Sequence, residues 1–114
     1  MTDDALLDSL KAIAHPSRLR ILQELAKGEL NVGEIEQATE IGQPTLSQQL
    51  AVLRKAGLVD TRRQAKLVYY SLEQSMLGLV TETLGSLVPD AGKADDSGAR
   101  RRAQGAANFA RMAI

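Results

Sequence analysis

Residues 41–71 read IGQPTLSQQLAVLRKAGLVDTRRQAKLVYYS, and how this stretch divides decides the fold. Proline suits the first turn of a helix, so a helix is expected from near Pro44 to Ala56, with Gly57 as its stop. At about 100° per residue, Leu46, Leu50 and Leu53 fall within about 60° of one another and form an inward stripe. Pro44, Gln48, Ala51 and Lys55 lie opposite, flanked by Thr45, Ser47 and Val52. Two strand-like runs follow, Leu58 to Arg62 and Lys66 to Leu72, in which Val59, Val68, Tyr69 and Tyr70 suit extended backbone. Arg62, Arg63 and Lys66 gather at the tip between them. A helix with a polar outer face, followed by a hairpin with a basic tip, is a device for gripping duplex DNA.

Charge supports that division. The formal net charge of the 114 residues is zero, but it is unevenly placed. Residues 1–42 hold four bases against eight acids, whereas residues 43–72 hold five bases against Asp60 alone, a local balance of +4. Phosphate attraction acts over roughly 8–10 Å in ordinary salt, so the local patch matters more than the total.

Upstream, residues 3–14 predict a first helix with Leu6, Leu7, Leu10, Ile13 and Ala14 at helical spacing, and with Asp3 and Asp4 at its positive end. His15-Pro16-Ser17 breaks it, with His15 in a capping role. A second helix from Pro16 to Lys27 is expected to bury Leu19, Leu22, Leu25 and Ala26, with Ile21 alongside and Gly28 as a left-handed stop. Asn31 and Glu34 form a capping-box pattern for a short third helix with Val32 and Ile35 inward. That helix and the next, joined by a turn, match a helix-turn-helix. Downstream, a last helix from Glu73 to Val88 carries Met76, Leu77, Val80, Leu84 and Leu87 on one stripe, long enough to suggest packing on another chain. After Pro89 the composition turns polar, then basic, with four arginines between Arg100 and Arg111. It reads as a linker and a tail, either disordered or a weak basic helix interrupted by Gly105.

The residues exclude a good deal. Cysteine is absent and His15 is the only histidine, so thiolate chemistry and a histidine metal cluster within one subunit are ruled out. With no glycine-rich phosphate loop and no second histidine for acid–base work, an enzyme is not expected, nor a cofactor or metal. No apolar run approaches the roughly 20 residues needed to span a bilayer, and the acidic start MTDDALLDSL lacks a secretion signal. A cytoplasmic protein without membrane partners is the expectation. A protein–protein interaction module, or a DNA binder without a ligand switch, remains the alternative reading; the polar face at Thr45–Gln48 argues against the former.

Four motifs in order resemble the ArsR/SmtB family of winged-helix bacterial repressors. They are Ala14-His15-Pro16-Ser17-Arg18-Leu19-Arg20-Ile21-Leu22, Gln43-Pro44-Thr45-Leu46-Ser47-Gln48-Gln49-Leu50, Leu53-Arg54-Lys55-Ala56-Gly57-Leu58-Val59 and Val68-Tyr69-Tyr70-Ser71-Leu72. The resemblance covers about residues 5–88 and is nearest to the branch that senses sulfide or reactive sulfur through a dithiol. It implies a mainly α fold with a small β-hairpin, a winged helix-turn-helix in the order α-α-α-α-β-β-α, acting as a homodimer on an inverted-repeat operator. Residues 1–88 would be the DNA-binding and dimerisation domain, and 89–114 the linker and tail. Gln43, Thr45, Ser47, Gln48, Gln49, Arg62, Arg63 and Lys66 are the expected DNA contacts. Leu6, Leu7, Leu10, Met76, Leu77, Val80, Leu84 and Leu87 are the expected dimer contacts.

The departures are equally specific. Asn31 and Gly33 stand where arsenic and cadmium sensors have thiols. Gln23 stands near the first dithiol position, and residues 73–90 contain no histidine for a zinc or nickel site. The effector is therefore unidentified. Ala65 replaces the usual wing glycine; a left-handed alanine costs about 1–2 kcal/mol, which favours a different turn at the tip.

Overall fold

The computed structural model describes residues 3–89. Helices α1 (Asp3–Ile13) and α2 (Pro16–Leu25) are followed by a two-residue strand β1 (Leu30–Asn31) and by helices α3 (Val32–Thr39) and α4 (Thr45–Lys55). Strands β2 (Val59–Gln64) and β3 (Leu67–Leu72) then lead into helix α5 (Gln74–Gly85). The expected winged helix-turn-helix is present, with one addition. β1 pairs antiparallel with the free edge of β3, through Leu30 to Tyr70 and Asn31 to Tyr69, giving a three-stranded sheet in the order β1-β3-β2. The expected linker and basic tail lie beyond Pro89, outside the described residues.

Caps set the helix boundaries as their chemistry requires. The His15 imidazole Nδ1 accepts the Ser17 amide at 3.2 Å, with Pro16 opening α2. At α3 the box is complete: Asn31 accepts the Glu34 amide, and Glu34 accepts the Asn31 amide, both at 2.9 Å. Such caps satisfy amides that the first helical turn leaves unpaired. Gly57, at φ +77°, makes the left-handed step out of α4 that a side chain would oppose.

The described residues up to Val80 form one compact unit. Ile21, Leu22 and Leu25 of α2, Ile35 of α3, Leu46, Leu50 and Leu53 of α4, and Leu58 and Val59 meet in its core. Met76 and Leu77 pack against that core. Two expectations for α2 need correction. Leu19 and Ala26 are exposed, while Ile21 is fully buried. Both lie about 100° or more around the helix from Leu25, so a stripe centred on Leu25 cannot include them.

In α1, too, the covered face differs from the most apolar one. Its buried residues are the small Ser9 and Ala12, and the Ser9 hydroxyl lies 3.0 Å from the Ala5 carbonyl and 3.1 Å from that of Ala56, past the end of α4. Small residues allow this close approach. Leu6 and Leu10 are only half-buried and Leu7 is exposed. Among the described residues from Thr81 to Pro89, Leu84, Leu87 and Val88 are exposed.

Candidate nucleic-acid interface

Helix α4 is held from behind and left free in front. Leu46, Leu50 and Leu53 are almost wholly buried, whereas Thr45, Ser47, Gln48, Ala51, Val52 and Lys55 are all exposed. The turn leading into it is fixed by polar contacts. Buried Thr39 donates to the Ile35 carbonyl at 2.7 Å and accepts the Ile41 amide at 3.3 Å, while Glu40 takes the left-handed conformation that ends α3. Gln43 then caps α4 from outside: its Oε1 accepts the Ser47 amide at 3.2 Å and the Ser47 hydroxyl at 2.7 Å.

The five expected helix contacts therefore separate into three groups. Gln43 and Ser47 are exposed but bonded to each other. Gln48 and Thr45 are exposed and, among the described residues, have no side-chain partner. Gln49 is half-buried and accepts from the Arg18 guanidinium at 2.9 Å, while Arg18 also donates to the Ala12 carbonyl at 2.6 Å. That residue ties α4 to the end of α1 and the start of α2 rather than facing outward. A free glutamine amide can both donate and accept, which suits paired contact with an adenine edge in the major groove.

The wing also divides. Register places Val59, Thr61 and Arg63 on the same face as Leu72, Tyr70 and Val68, and places Asp60, Arg62 and Gln64 on the other face with Ser71, Tyr69 and Leu67. The turn is Ala65–Lys66, and Ala65 does take the left-handed conformation, at φ 56°. The expectation of a different turn is thus corrected. Two residues between the paired Gln64 and Leu67 leave the chain little other way to reverse, so the tip keeps the glycine-type geometry without the glycine.

Arg63 and Lys66 are exposed and have no partner among the described residues. Arg62 is not at the tip. Its guanidinium meets Glu29, just before β1, through two contacts of 2.6 and 2.8 Å, reaches Gln64 at 2.7 Å, and lies 4.6 Å from the centre of the Tyr69 ring. Arg62's hydrogen bond holds the Glu29 carboxyl below its ordinary 4.5, so the pair is charged at neutral pH and is lost only as pH falls through that lowered value. At the base of the wing, a hydrogen bond with Glu73 raises Asp60, while the Ser75 amide helps to hold Glu73 down. No group of three or more residues suited to a metal ion occurs among the described residues, and none of their helices is long and apolar enough to cross a membrane.

The sequence model of a family described as "Bacterial regulatory protein, arsR family" matches residues 15–61, which contain the caps, the helix-turn-helix and the start of the wing. Over 83 residues the chain is 52% identical to the biofilm growth-associated repressor of Agrobacterium fabrum, covering 73% of this chain and 69% of that protein. It is 45% identical over 78 residues to the transcriptional activator HlyU of Vibrio cholerae, covering 68% of this chain and 72% of that protein. Among solved structures, that of the transcriptional repressor BigR from Xylella fastidiosa superposes with a TM-score of 0.60 at 45% identity, covering 75% of this chain and 87% of the other.

Proposed function

The chain belongs to the ArsR family of bacterial regulatory proteins and is a DNA-binding transcription regulator rather than an enzyme; from that premise we propose a repressor that acts as a homodimer on an inverted-repeat operator. The observation that carries this reading is the outer face of α4, where Thr45 and Gln48 stand exposed with no side-chain partner among the described residues. Gln48 is proposed to read a base edge, with Thr45 beside it. Gln43 and Ser47 orient the helix start and offer hydroxyl and amide groups to the backbone. On the wing the phosphate contacts narrow to Arg63 and Lys66, because the Arg62 guanidinium is taken up by Glu29.

The dimer is proposed on what α1, α5 and the residues just after α5 leave uncovered. α1 turns its small residues inward, so Leu6, Leu7 and Leu10 remain for another surface, while α5 supplies Leu84 and the segment after it Leu87. Met76, Leu77 and Val80 serve more as the inner side of that helix, since they are half-buried or buried within one chain. Residues 1–88 would then be the binding and dimerising part, and an effector, if one acts, would be held by neither thiols nor a cluster of imidazoles, since the chain has no cysteine and His15 is its only histidine.

Two measurements test the proposal. A promoter–reporter pair with and without the gene should show higher expression without it; lower expression would make the chain an activator. Sedimentation of the purified chain should give twice the monomer mass, and a monomer that still binds the operator tightly would overturn the dimer.

A further inference from the structure

We infer that Glu29, Arg62 and Tyr69 form a brace that fixes the angle of the wing, and that Arg62 is a positioning residue of this DNA-binding unit rather than one of its phosphate ligands. The inference rests on the wing being a DNA clamp, as proposed above. Tyr69 is the shared centre: it pairs with Asn31 of β1 on one side and with Arg62 of β2 on the other. A side chain leaving Arg62 crosses the Tyr69 ring and arrives at Glu29, the residue before β1. The Arg62 and Glu29 side chains together thereby bridge the three-stranded sheet, from its β2 edge to the start of its β1 edge.

β1 matters because it is continuous with α3. Its Asn31 is both a strand residue and the cap of that helix. A tie from β2 to Glu29 therefore couples the wing directly to the helix-turn-helix. Without it, the two-residue strand β1 is the only ladder among the described residues that joins the hairpin to that side of the fold. The rigid fork of an arginine, matched to a carboxylate and stacked on an aromatic ring, defines a direction as well as a distance. Gln64 adds a second acceptor at 2.7 Å, leaving the Arg62 guanidinium occupied along most of its edge. Arg63, near the end of β2, and Lys66, in the turn, by contrast have no partner among the described residues.

Exposed ion pairs contribute little to stability, so the brace acts through geometry, and its loss should leave the melting temperature almost unchanged. The test is a set of full-length variants titrated with a duplex from the gene's own upstream region and with a scrambled duplex, over a range of salt. Glu29→Gln and Arg62→Lys should each weaken binding to the upstream duplex by about fivefold, and the double variant should be no worse than either. Lysine keeps the charge but not the fork, so its failure to rescue marks a positioning role. Arg62→Gln should leave the salt slope as in the wild type, while Arg63→Gln, which removes one phosphate contact from each protomer of the dimer, should lower its magnitude by about 1.8. If Glu29→Gln instead tightens binding and Arg62→Lys behaves as wild type, Arg62 is a phosphate ligand that Glu29 holds back, and the brace is refuted. If Arg63→Gln leaves the slope intact and the wild type does not prefer the upstream duplex, the clamp reading fails and the brace with it.

Discussion

Helices α4 and α5 are nearly equal in length, 11 and 12 residues, and both carry an apolar stripe, yet only that of α4 is covered along its whole length. In α4, Leu46, Leu50 and Leu53 are at most 1% exposed. In α5, only Val80 is buried, and Leu84 remains 47% exposed. The difference separates two jobs. α4 has its apolar side fixed within one chain, so its polar side is presented rigidly and can read a surface that demands accurate placement. α5 keeps apolar side chains outward, as does α1 at Leu7, and such faces are stabilised when a second molecule covers them.

Substitutions should expose that division. Leu50→Ala should cost about 2–5 kcal/mol in denaturant unfolding, because it empties a fully packed site beneath the reading face. A cost near zero would mean that α4 is not held as described. Replacing Leu84 and Leu87 together with glutamate should leave the unfolding of the isolated chain nearly unchanged but raise the dimer dissociation constant at least about tenfold, since each buried leucine contributes roughly 1.5–3 kcal/mol. Equilibrium sedimentation reads this directly, and an unaltered dimer would place the interface elsewhere. Gln48→Ala should lose about 1–3 kcal/mol of discrimination at one base position while barely changing the affinity for unrelated DNA. An equal loss on every sequence would make Gln48 a backbone contact. Ala65→Gly should raise stability by about 1 kcal/mol through relief of the left-handed alanine, and a loss of stability would show that the tip is not strained.

What the sequence disclosed follows from the range of the interactions concerned. Local signals were legible: the box of Asn31 and Glu34, the His15 cap with Pro16, the stop at Gly57, and the 46-50-53 stripe all depend on residues a few positions apart. β1 was not, because two residues carry no alternating pattern and Leu30–Asn31 becomes a strand only when β3 offers an edge. The pairing of Arg62 with Glu29 spans 33 positions and that of Arg18 with Gln49 spans 31, so nothing local distinguishes these side chains from free surface groups. The first engages the guanidinium of an expected phosphate contact within the chain, and the second gives an expected DNA contact a partner on another helix. For α1, hydropathy pointed to the leucines, whereas close packing selected Ser9 and Ala12. Small side chains let two helices approach where larger ones would hold them apart.

The central claim is that the exposed face of α4, carried on a rigid core and flanked by the wing, reads a particular DNA sequence. Fluorescence anisotropy with an inverted-repeat duplex from the gene's upstream region, competed at fixed salt by a scrambled duplex of equal length, tests it most directly. Specific binding should be tighter by a factor of about a thousand or more. Equal affinity for the two duplexes, from a folded and dimeric protein, would contradict it.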